Sequence, residues 1–362
     1  MASQISHLLV GERALRAALP SRAPKILSTG GPLFRLGCQG PDLFYHNQRT
    51  RPLSVLYGSL AHRRGFGALC AALATAGFGE GAESAWGAFA LGFCTHGALD
   101  RVTHPYIVYR SGWIDAGKPE TIDFRSCHPF LERVLDVLLW ERETGMPIHD
   151  FHQGDALTPE HGVPGHFAEN LALALRNAYP ERTSRDEELV QRVINAFEDS
   201  LFLYRHSDPS VTSMSGGGTV SYSSSFLERG YRAVAIVYPE NLDRSIDWAN
   251  EGKVAWRHPC DPPRSSDRSY FELCEEAARE AELVLGLCTR ALDGSREALL
   301  ELPEAAGNGS LNVGDEFGKQ TKPVYLDPLP LRAAMEEQYR MRLARISGNH
   351  DTVPIDRGPY SV

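Results

Sequence analysis

Residues 90–107, ALGFCTHGALDRVTHPYI, hold three ionisable side chains at four-residue intervals inside an otherwise apolar segment. His96, Asp100 and His104 would share one face of an α-helix, because residues i and i+4 are neighbours on a helix surface. A buried Asp100 without a partner would carry a heavy desolvation cost. The segment is therefore either a core helix whose polar groups are satisfied by neighbours, or one wall of a metal site.

Helical periodicity dominates the rest of the chain. Apolar residues recur three and four positions apart, and period-two alternation is nearly absent, so we predict an all-α fold. The one strand-like run, AVAIVYPE at 233–240, would also suit a helix. Gly/Pro/Ser-rich connections lie at 20–52, 207–225 and 303–328, and GGGT at 216–219 lacks the Gly-Lys-Ser/Thr ending of a phosphate loop. Helices are predicted at 4–18, 57–77, 83–103 (ending before Pro105), 127–145, 166–179, 184–206, 269–292 and 329–346.

Charge and cysteine usage narrow the class of protein. The net charge of −9 argues against binding to nucleic acid or to anionic membranes through a basic surface. The seven cysteines are odd in number and form no CxxC pair, which predicts free thiols in a reducing compartment. The N-terminal residues lack the pattern of a signal peptide, and the longest apolar run is too short to span a bilayer. We expect a cytoplasmic protein without a transmembrane segment, and the sequence does not indicate its oligomeric state.

The residue types that bind metals concentrate in the first part of the chain and thin out after a soft boundary near 146–165. We therefore predict a catalytic core at 1–150. We expect residues 151–362 to form additional helices that pack on this core, either in the same domain or in a separate one.

Other metal-binding side chains accompany those of 90–107. Imidazole and carboxylate donors without a thiolate pair suit catalytic zinc, and helix bundles let such side chains converge on one point. The set is too large for one ion and suits two or three zinc ions with a bridging carboxylate, an arrangement used for displacement at phosphorus. Any single member has the alternative of being an ordinary core or surface residue. The candidates are His7, Asp42, His62, His96, Asp100, His104, His128 and Glu132.

Three further features leave alternatives open. His46 competes with His62 as a ligand, and the helical context of GSLAH favours His62. Asp136, one turn after Glu132, is either a partner that orients a ligand histidine or an exposed helix carboxylate. The stretch HDFHQGDALTPEHGVPGH is predicted to be a polar loop, with His149, His152, His161 and His166.

The ordered series GPDLFYHN, GSLAH, FALGFCTHGALDRVTHPYI and CHPFLERVLD resembles the bacterial zinc-dependent phospholipase C family. Its superfamily also contains the fungal zinc-dependent single-strand nucleases. The resemblance covers residues 1–140, and IDWANEGKVAWRHP at 246–259 is similar to a segment of cytoplasmic members. It implies a multi-helix bundle of the phospholipase C and zinc nuclease type, extended here by C-terminal helices.

The resemblance also implies a ligand set. Asp42, His62, His96 and Asp100 would hold one zinc, with Asp100 bridging to a second zinc held by His7. The third zinc would be held by His104, His128 and Glu132, although the interval from Asp100 to His104 is shorter than in the secreted members. Those members also bind zinc through the mature N-terminal residue. Here the amine of Ala2, after removal of Met1, would be the equivalent, and without it the chain would hold two zincs.

These features predict a zinc-dependent phosphodiester hydrolase that is phospholipase C-like and acts on a phospholipid or a small phosphodiester. Asp42 and Asp100 are the catalytic candidates, with Asp42 as ligand, general base or both. One alternative is a nuclease or nucleotide phosphodiesterase that uses the same metal site, which the acidic composition disfavours. The other is a metal-stabilised binding protein without turnover.

Overall fold

The computed structural model describes residues 3–213, 230–261, 263–313, 315–316, 319–320 and 322–348. It is mostly helical, which confirms the all-α class. The strands in the described residues are two short antiparallel pairs, Trp256–Arg257 with Ser265–Ser266 and Asp315–Glu316 with Lys319–Gln320. Ala2 and the GGGT sequence lie outside the described residues. None of the described helices is long and apolar enough to cross a membrane.

The helices of the first half run from the N-terminus to the end of the predicted core. They are α1 (Gln4–Ala18), α2 (Ala23–Cys38), α3 (Asp42–His46), α4 (Val55–Arg63), α5 (Phe66–Ala76), α6 (Ala85–Ser111) and α7 (Cys127–Thr144), with 3₁₀ turns at Pro119–Phe124 and Ile148–Asp150.

The remaining helices surround this group. They are α8 (Gln153–Leu157), α9 (His166–Ala178), α10 (Pro180–Thr183), α11 (Leu189–His206), α12 (Pro209–Thr212), α13 (Tyr270–Leu292), α14 (Arg296–Ala306) and α15 (Leu331–Gly348), with a 3₁₀ segment at Gly230–Ile236.

Helix α6 is the centre of the fold, and α2 and α13 pack along it. Helices α2 and α6 meet backbone to backbone through glycines. A Cβ atom at Gly92 would lie 2.0 Å from the carbonyl oxygen of Phe34, and one at Gly37 would lie 2.2 Å from that of Phe89. This close approach is possible because neither position carries a side chain, and it brings the residues that follow α2 next to the polar face of α6.

Helix α6 does not end before Pro105 as predicted; it continues to Ser111. Proline removes one backbone donor and disfavours a helix interior. However, Tyr106, Ile107 and Val108 are buried beyond it, and their burial offsets the lost hydrogen bond.

Other predicted boundaries are wrong as well, among them the start of the helix predicted at 184–206, which begins at Leu189. The connection predicted at 20–52 contains α2 and α3. Pro32 is tolerated because Gly30 leaves helical geometry, so that Pro32 lies in the first turn of a restarted helix, where its missing N–H costs little. The single helix predicted at 57–77 is two helices, because Gly65 adopts a left-handed φ of 71° between α4 and α5.

The strand-like run at 233–240 contains no strand; its first half completes the 3₁₀ segment. Helix α15 packs against that segment, which in turn packs against α7. Helix α13 packs on α1 and α6, and α14 on α5. Buried apolar residues form one continuous cluster across the predicted boundary, including Ile148, Phe151 and Leu157 within it.

Asp136 is neither an exposed carboxylate nor a partner of a ligand histidine. It is fully buried, and its two carboxylate oxygens accept hydrogen bonds from the start of α1. The backbone N–H groups of Gln4, Ile5 and Ser6 donate to it at 2.9, 3.1 and 2.7 Å, and the hydroxyl of Ser6 at 2.8 Å. These N–H groups belong to the first helical turn, which has no partners within its own helix. Asp136 therefore fixes α1, and with it His7, to α7.

We expect Asp136→Ala to lower the free energy of unfolding by roughly 2–4 kcal/mol, because it leaves several buried N–H groups without an acceptor. Urea unfolding measures this difference. Glu198→Ala removes an exposed carboxylate in the interior of α11 and is the matched control, with little change expected. A change below about 0.5 kcal/mol in Asp136→Ala would contradict the role assigned to this carboxylate.

Candidate metal centre

The three side chains that helix spacing places on one face of α6 face the protein interior. His96 and Asp100 are buried, and Nε2 of His96 lies 3.1 Å from Oδ2 of Asp100. One turn further, Nε2 of His104 lies 3.9 Å from Oδ1 of Asp100. The carboxylate of Asp100 thus lies between two imidazoles of its own helix.

Three neighbouring helices bring further side chains to Asp100. Nε2 of His7 on α1 lies 3.2 Å from its Oδ1, and Nε2 of His62 on α4 lies 3.5 Å from its Oδ2. Asp42 begins α3, and its Oδ1 lies 3.2 Å from Nε2 of His62. The rings of His7 and His96 stack at 4.2 Å between centroids. Four imidazoles therefore surround one buried carboxylate, and a second carboxylate stands beside them.

The turn between α2 and α3 permits this approach. Gly40 has a left-handed φ of 52°, and a Cβ atom there would lie 2.4 Å from Cγ of His96. Only glycine fits between this turn and the imidazole. Because Asp42 follows Gly40 by two residues, in the sequence GPD, this close approach also keeps Asp42 near α6.

Helix α7 supplies a further pair beside His104. Nε2 of His128 lies 3.2 Å from Oε1 of Glu132, and Nε2 of His104 lies 3.7 Å from the same oxygen. The side chain of His128 is 32% exposed, whereas that of Glu132 is 2% exposed. This end of the centre is thus the one open to solvent.

The structure brings all eight predicted candidates into groups whose donor atoms lie within 4.8 Å of one another. We call them the first, second and third group. The first group is Asp42, His62 and His96; the second is His7, His96 and Asp100; the third is His104, His128 and Glu132. These buried clusters can hold metal ions, and which metal they hold is not shown.

Other histidines stay outside these groups. His46 belongs to none of them, and its Nδ1 lies 3.1 Å from the hydroxyl of Tyr204 and 3.3 Å from that of Ser200. His149, His152, His161 and His166 belong to none of the groups found among the described residues.

Three of the imidazoles are oriented by backbone carbonyl groups. Nδ1 of His62 donates to the carbonyl of Gly58 at 2.8 Å, and Nδ1 of His96 to that of Cys38 at 3.2 Å. Nδ1 of His104 donates to the carbonyl of Leu311 at 2.6 Å. A carbonyl only accepts, so each Nδ1 carries a proton and each Nε2 is directed at the centre. Metal-binding histidines are typically oriented in this way.

Several donor atoms of the centre crowd together, and three of them have no hydrogen-bond partner. Nε2 of His62 and Nε2 of His96 face each other at 3.4 Å. Nε2 of His7, Oδ2 of Asp100 and Oε2 of Glu132 are buried and have no hydrogen bond, although other site atoms lie close. Buried polar atoms normally have partners, so a group of orphans in one place indicates that a ligand belongs there. Cations fit these donors.

Without a bound cation, protons on histidine side chains offset part of the negative charge of the carboxylates. Burial lowers the pKa of His62, but Asp100 and Asp42 outweigh it and hold that pKa well above its usual value. Burial also opposes protonation of His104, yet Asp100 and Glu132 raise its pKa to about 9. Burial favours the neutral acid for both Asp100 and Glu132. The adjacent histidines outweigh burial: they hold the pKa of Asp100 well below its usual value and lower the pKa of Glu132 to about 2. The carboxylates are therefore anionic at neutral pH.

Sequence reasoning missed the contribution of the C-terminal half. The carbonyl that orients His104 comes from Leu311, which lies in the Gly/Pro-rich connection predicted at 303–328. A backbone acceptor from a distant loop leaves no signature in residue type or spacing. The carbonyl groups of Gly58 and Cys38 are equally invisible in the sequence.

Comparisons of this chain with models of known protein families, with curated proteins and with solved structures gave no match. The resemblance of its motifs to the zinc-dependent phospholipase C family therefore stays a prediction.

We expect Asp100→Ala to lose the ions of the first and second groups and to keep at most about one zinc per chain, because Asp100 belongs to the second group and its carboxylate lies 3.5 Å from Nε2 of His62 in the first. Elemental analysis of purified protein at fixed free zinc measures the loss. His161→Ala, which changes an exposed histidine outside the groups, is the control and should retain the wild-type content. Equal zinc content in wild type and Asp100→Ala would contradict the assignment.

We also expect zinc uptake near pH 7.5 to release about two protons per chain, because His62 and His104 hold protons in the metal-free state and bind metal only when Nε2 is unprotonated. The release should fall as the pH rises above about 9, where the metal-free ring of His104 loses its proton. Titration calorimetry in buffers of different ionisation enthalpy counts the protons. Uptake without proton release would contradict the protonation states given above.

Proposed function

We propose that this protein is a zinc-dependent phosphodiester hydrolase of the phospholipase C type. The observation that carries the proposal is the position of Asp100, whose carboxylate lies within 3.5 Å of Nε2 of His7, His62 and His96. This carboxylate belongs to the second group and also contacts His62 of the first, so it would be suited to hold two cations side by side. Paired metal ions of this kind serve in-line displacement at phosphorus.

Zinc is the ion that the donors favour. Imidazole nitrogen and carboxylate oxygen, with no thiolate among them, are the ligands of catalytic zinc sites. Bound zinc would lower the pKa of a coordinated water and stabilise negative charge on phosphate oxygens.

The protein side chains have separate tasks in this proposal. Asp100 holds the first and second groups together. Asp42 stays anionic, because the contacts with His62 outweigh burial and keep its pKa far below the usual value. Such a carboxylate is a weak proton acceptor, so its main task is that of a ligand. The third group, next to the solvent-exposed edge of His128, would face the leaving oxygen of the substrate.

The burial of the centre favours a small phosphate ester as the substrate over an extended strand of nucleic acid. Most donor residues are buried, and the solvent-exposed side chain among them is that of His128. A phosphodiester headgroup, from a lipid or a soluble compound, can enter at that edge. The ordered motifs of residues 1–140 support the phospholipase C type, and the helical fold is compatible with it.

We expect purified protein loaded with zinc to hydrolyse p-nitrophenyl-phosphorylcholine, and a chelator to abolish the activity. His96→Ala should lose at least about 10²-fold in kcat/KM, since it removes a donor common to the first and second groups. His161→Ala should keep the wild-type rate.

A single-stranded oligonucleotide is the competing substrate in this assay. Cleavage of the oligonucleotide alone would favour a nuclease on the same metal centre. Zinc binding without turnover of either substrate would favour a metal-stabilised binding protein. Full activity of zinc-free protein or of His96→Ala would contradict the site.

A further inference from the structure

Residues 307–312, which we call the strap, cross from α14 to the metal centre. The carbonyl of Gly307 accepts a hydrogen bond from Gly67 N at 2.8 Å, and the carbonyl of Asn308 accepts one from Gly65 N at 2.9 Å. Oδ1 of Asn308 accepts a further one from Ala68 N at 2.9 Å. The N–H groups of the first turn of α5 have no partners within their own helix, so the strap satisfies them. The start of the strap is thereby fixed to the beginning of α5.

The end of the strap joins the two parts of the metal centre. The hydroxyl of Ser310 donates to the carbonyl of His62 at 3.1 Å, and Leu311 N donates to the same carbonyl at 2.7 Å. The carbonyl of Leu311 then accepts from Nδ1 of His104 at 2.6 Å. The side chain of Leu311 is fully buried, which holds this residue in place. One residue thus contacts a histidine of the first group and a histidine of the third.

The third group depends on this contact more than the others do. In the first group, His62 and His96 are each oriented by a carbonyl of the N-terminal half. In the third group, the hydrogen bonds of His128 and Glu132 shown by the structure are to each other, and Oε2 of Glu132 is an orphan. The Leu311 carbonyl is therefore what orients a ligand of the third group from outside it.

We infer that the strap is a positioning element for the third metal ion: by fixing the Leu311 carbonyl, it holds Nδ1 of His104 protonated and directs Nε2 at His128 and Glu132. The C-terminal half of the chain thereby decides whether the third group is filled. This inference rests on the proposed metal centre and assigns a role within it to Asn308 and Ser310.

The test removes the side-chain anchors of the strap and leaves the ligands unchanged. In the double variant Asn308→Ala/Ser310→Ala, the side-chain hydrogen bonds with Ala68, Pro303, His62 and Asn312 are lost, and the strap keeps only its backbone hydrogen bonds and the buried side chain of Leu311. Loss of a partner that orients a metal ligand typically weakens metal binding about 10–100-fold. We expect this loss for the third ion alone, measured as zinc content against a buffered series of free zinc. His128→Ala provides the reference for a chain without the third ion.

The controls separate positioning from folding. Asn312→Ala changes an exposed strap residue that makes no side-chain hydrogen bond in the structure, and it should bind zinc like wild type. Ser310→Thr keeps the hydroxyl, and Asn308→Asp keeps the acceptor, so Asn308→Asp/Ser310→Thr should restore the third ion. Circular dichroism checks that each variant is folded, and the single variants replace the double one if it is not.

The Nδ1 proton of His104 gives a second readout. In wild type its short hydrogen bond should produce a slowly exchanging downfield proton resonance, which the double variant should lose or shift. Unchanged affinity for the third ion together with an unchanged resonance would overturn the inference, as would equal weakening of all ions in a folded variant. A wild-type chain that takes up no ion in the third group would contradict the metal assignment itself.

Discussion

The buried carboxylate of Asp100 is the constraint on which the rest of the centre depends. An isolated charge in the core would be strongly destabilising. Here three helices, α1, α4 and α6, direct the imidazoles of His7, His62, His96 and His104 at it, so positively polarised groups lie beside the charge. Two further features set the distances between these helices. Glycines let α2 approach α6, and the hydrogen bonds of Asp136 on α7 fix the start of α1. The fold is thus arranged around one ionised group.

Many of the candidate metal ligands could be predicted from the sequence, because helix geometry depends only on local spacing along the chain. The four-residue intervals of His96, Asp100 and His104 and of His128 and Glu132 place ligands on common faces, and the structure puts them there. His62 rather than His46 joins the first group. Helix boundaries were less predictable. Burial of the residues after Pro105 outweighs the local preference of proline for a helix end, and the kink at Gly30 places Pro32 at the start of a restarted helix. The position of Asp136 was missed because a helix start far away in the chain is its partner.

Residues 1–150 do not form the candidate metal centre alone, because the C-terminal half packs against the helices that carry it and contacts two of its histidines. Its helices α13 and α14 pack on α6 and α5, and the connection that follows α14 returns to the centre. Backbone groups make the contacts with His62 and His104, so these contacts cannot be predicted from the residue types in the sequence. The two halves share one apolar cluster and one set of hydrogen bonds around the candidate metal centre.

X-ray diffraction from crystals of the zinc-loaded protein, collected on both sides of the zinc absorption edge, tests the central claim most directly. The account predicts anomalous peaks about 2.0–2.2 Å from the donor atoms on either side of Asp100, with a further peak among His104, His128 and Glu132. Loaded crystals without a peak near Asp100, with its carboxylate held by protonated histidines alone, would contradict the account.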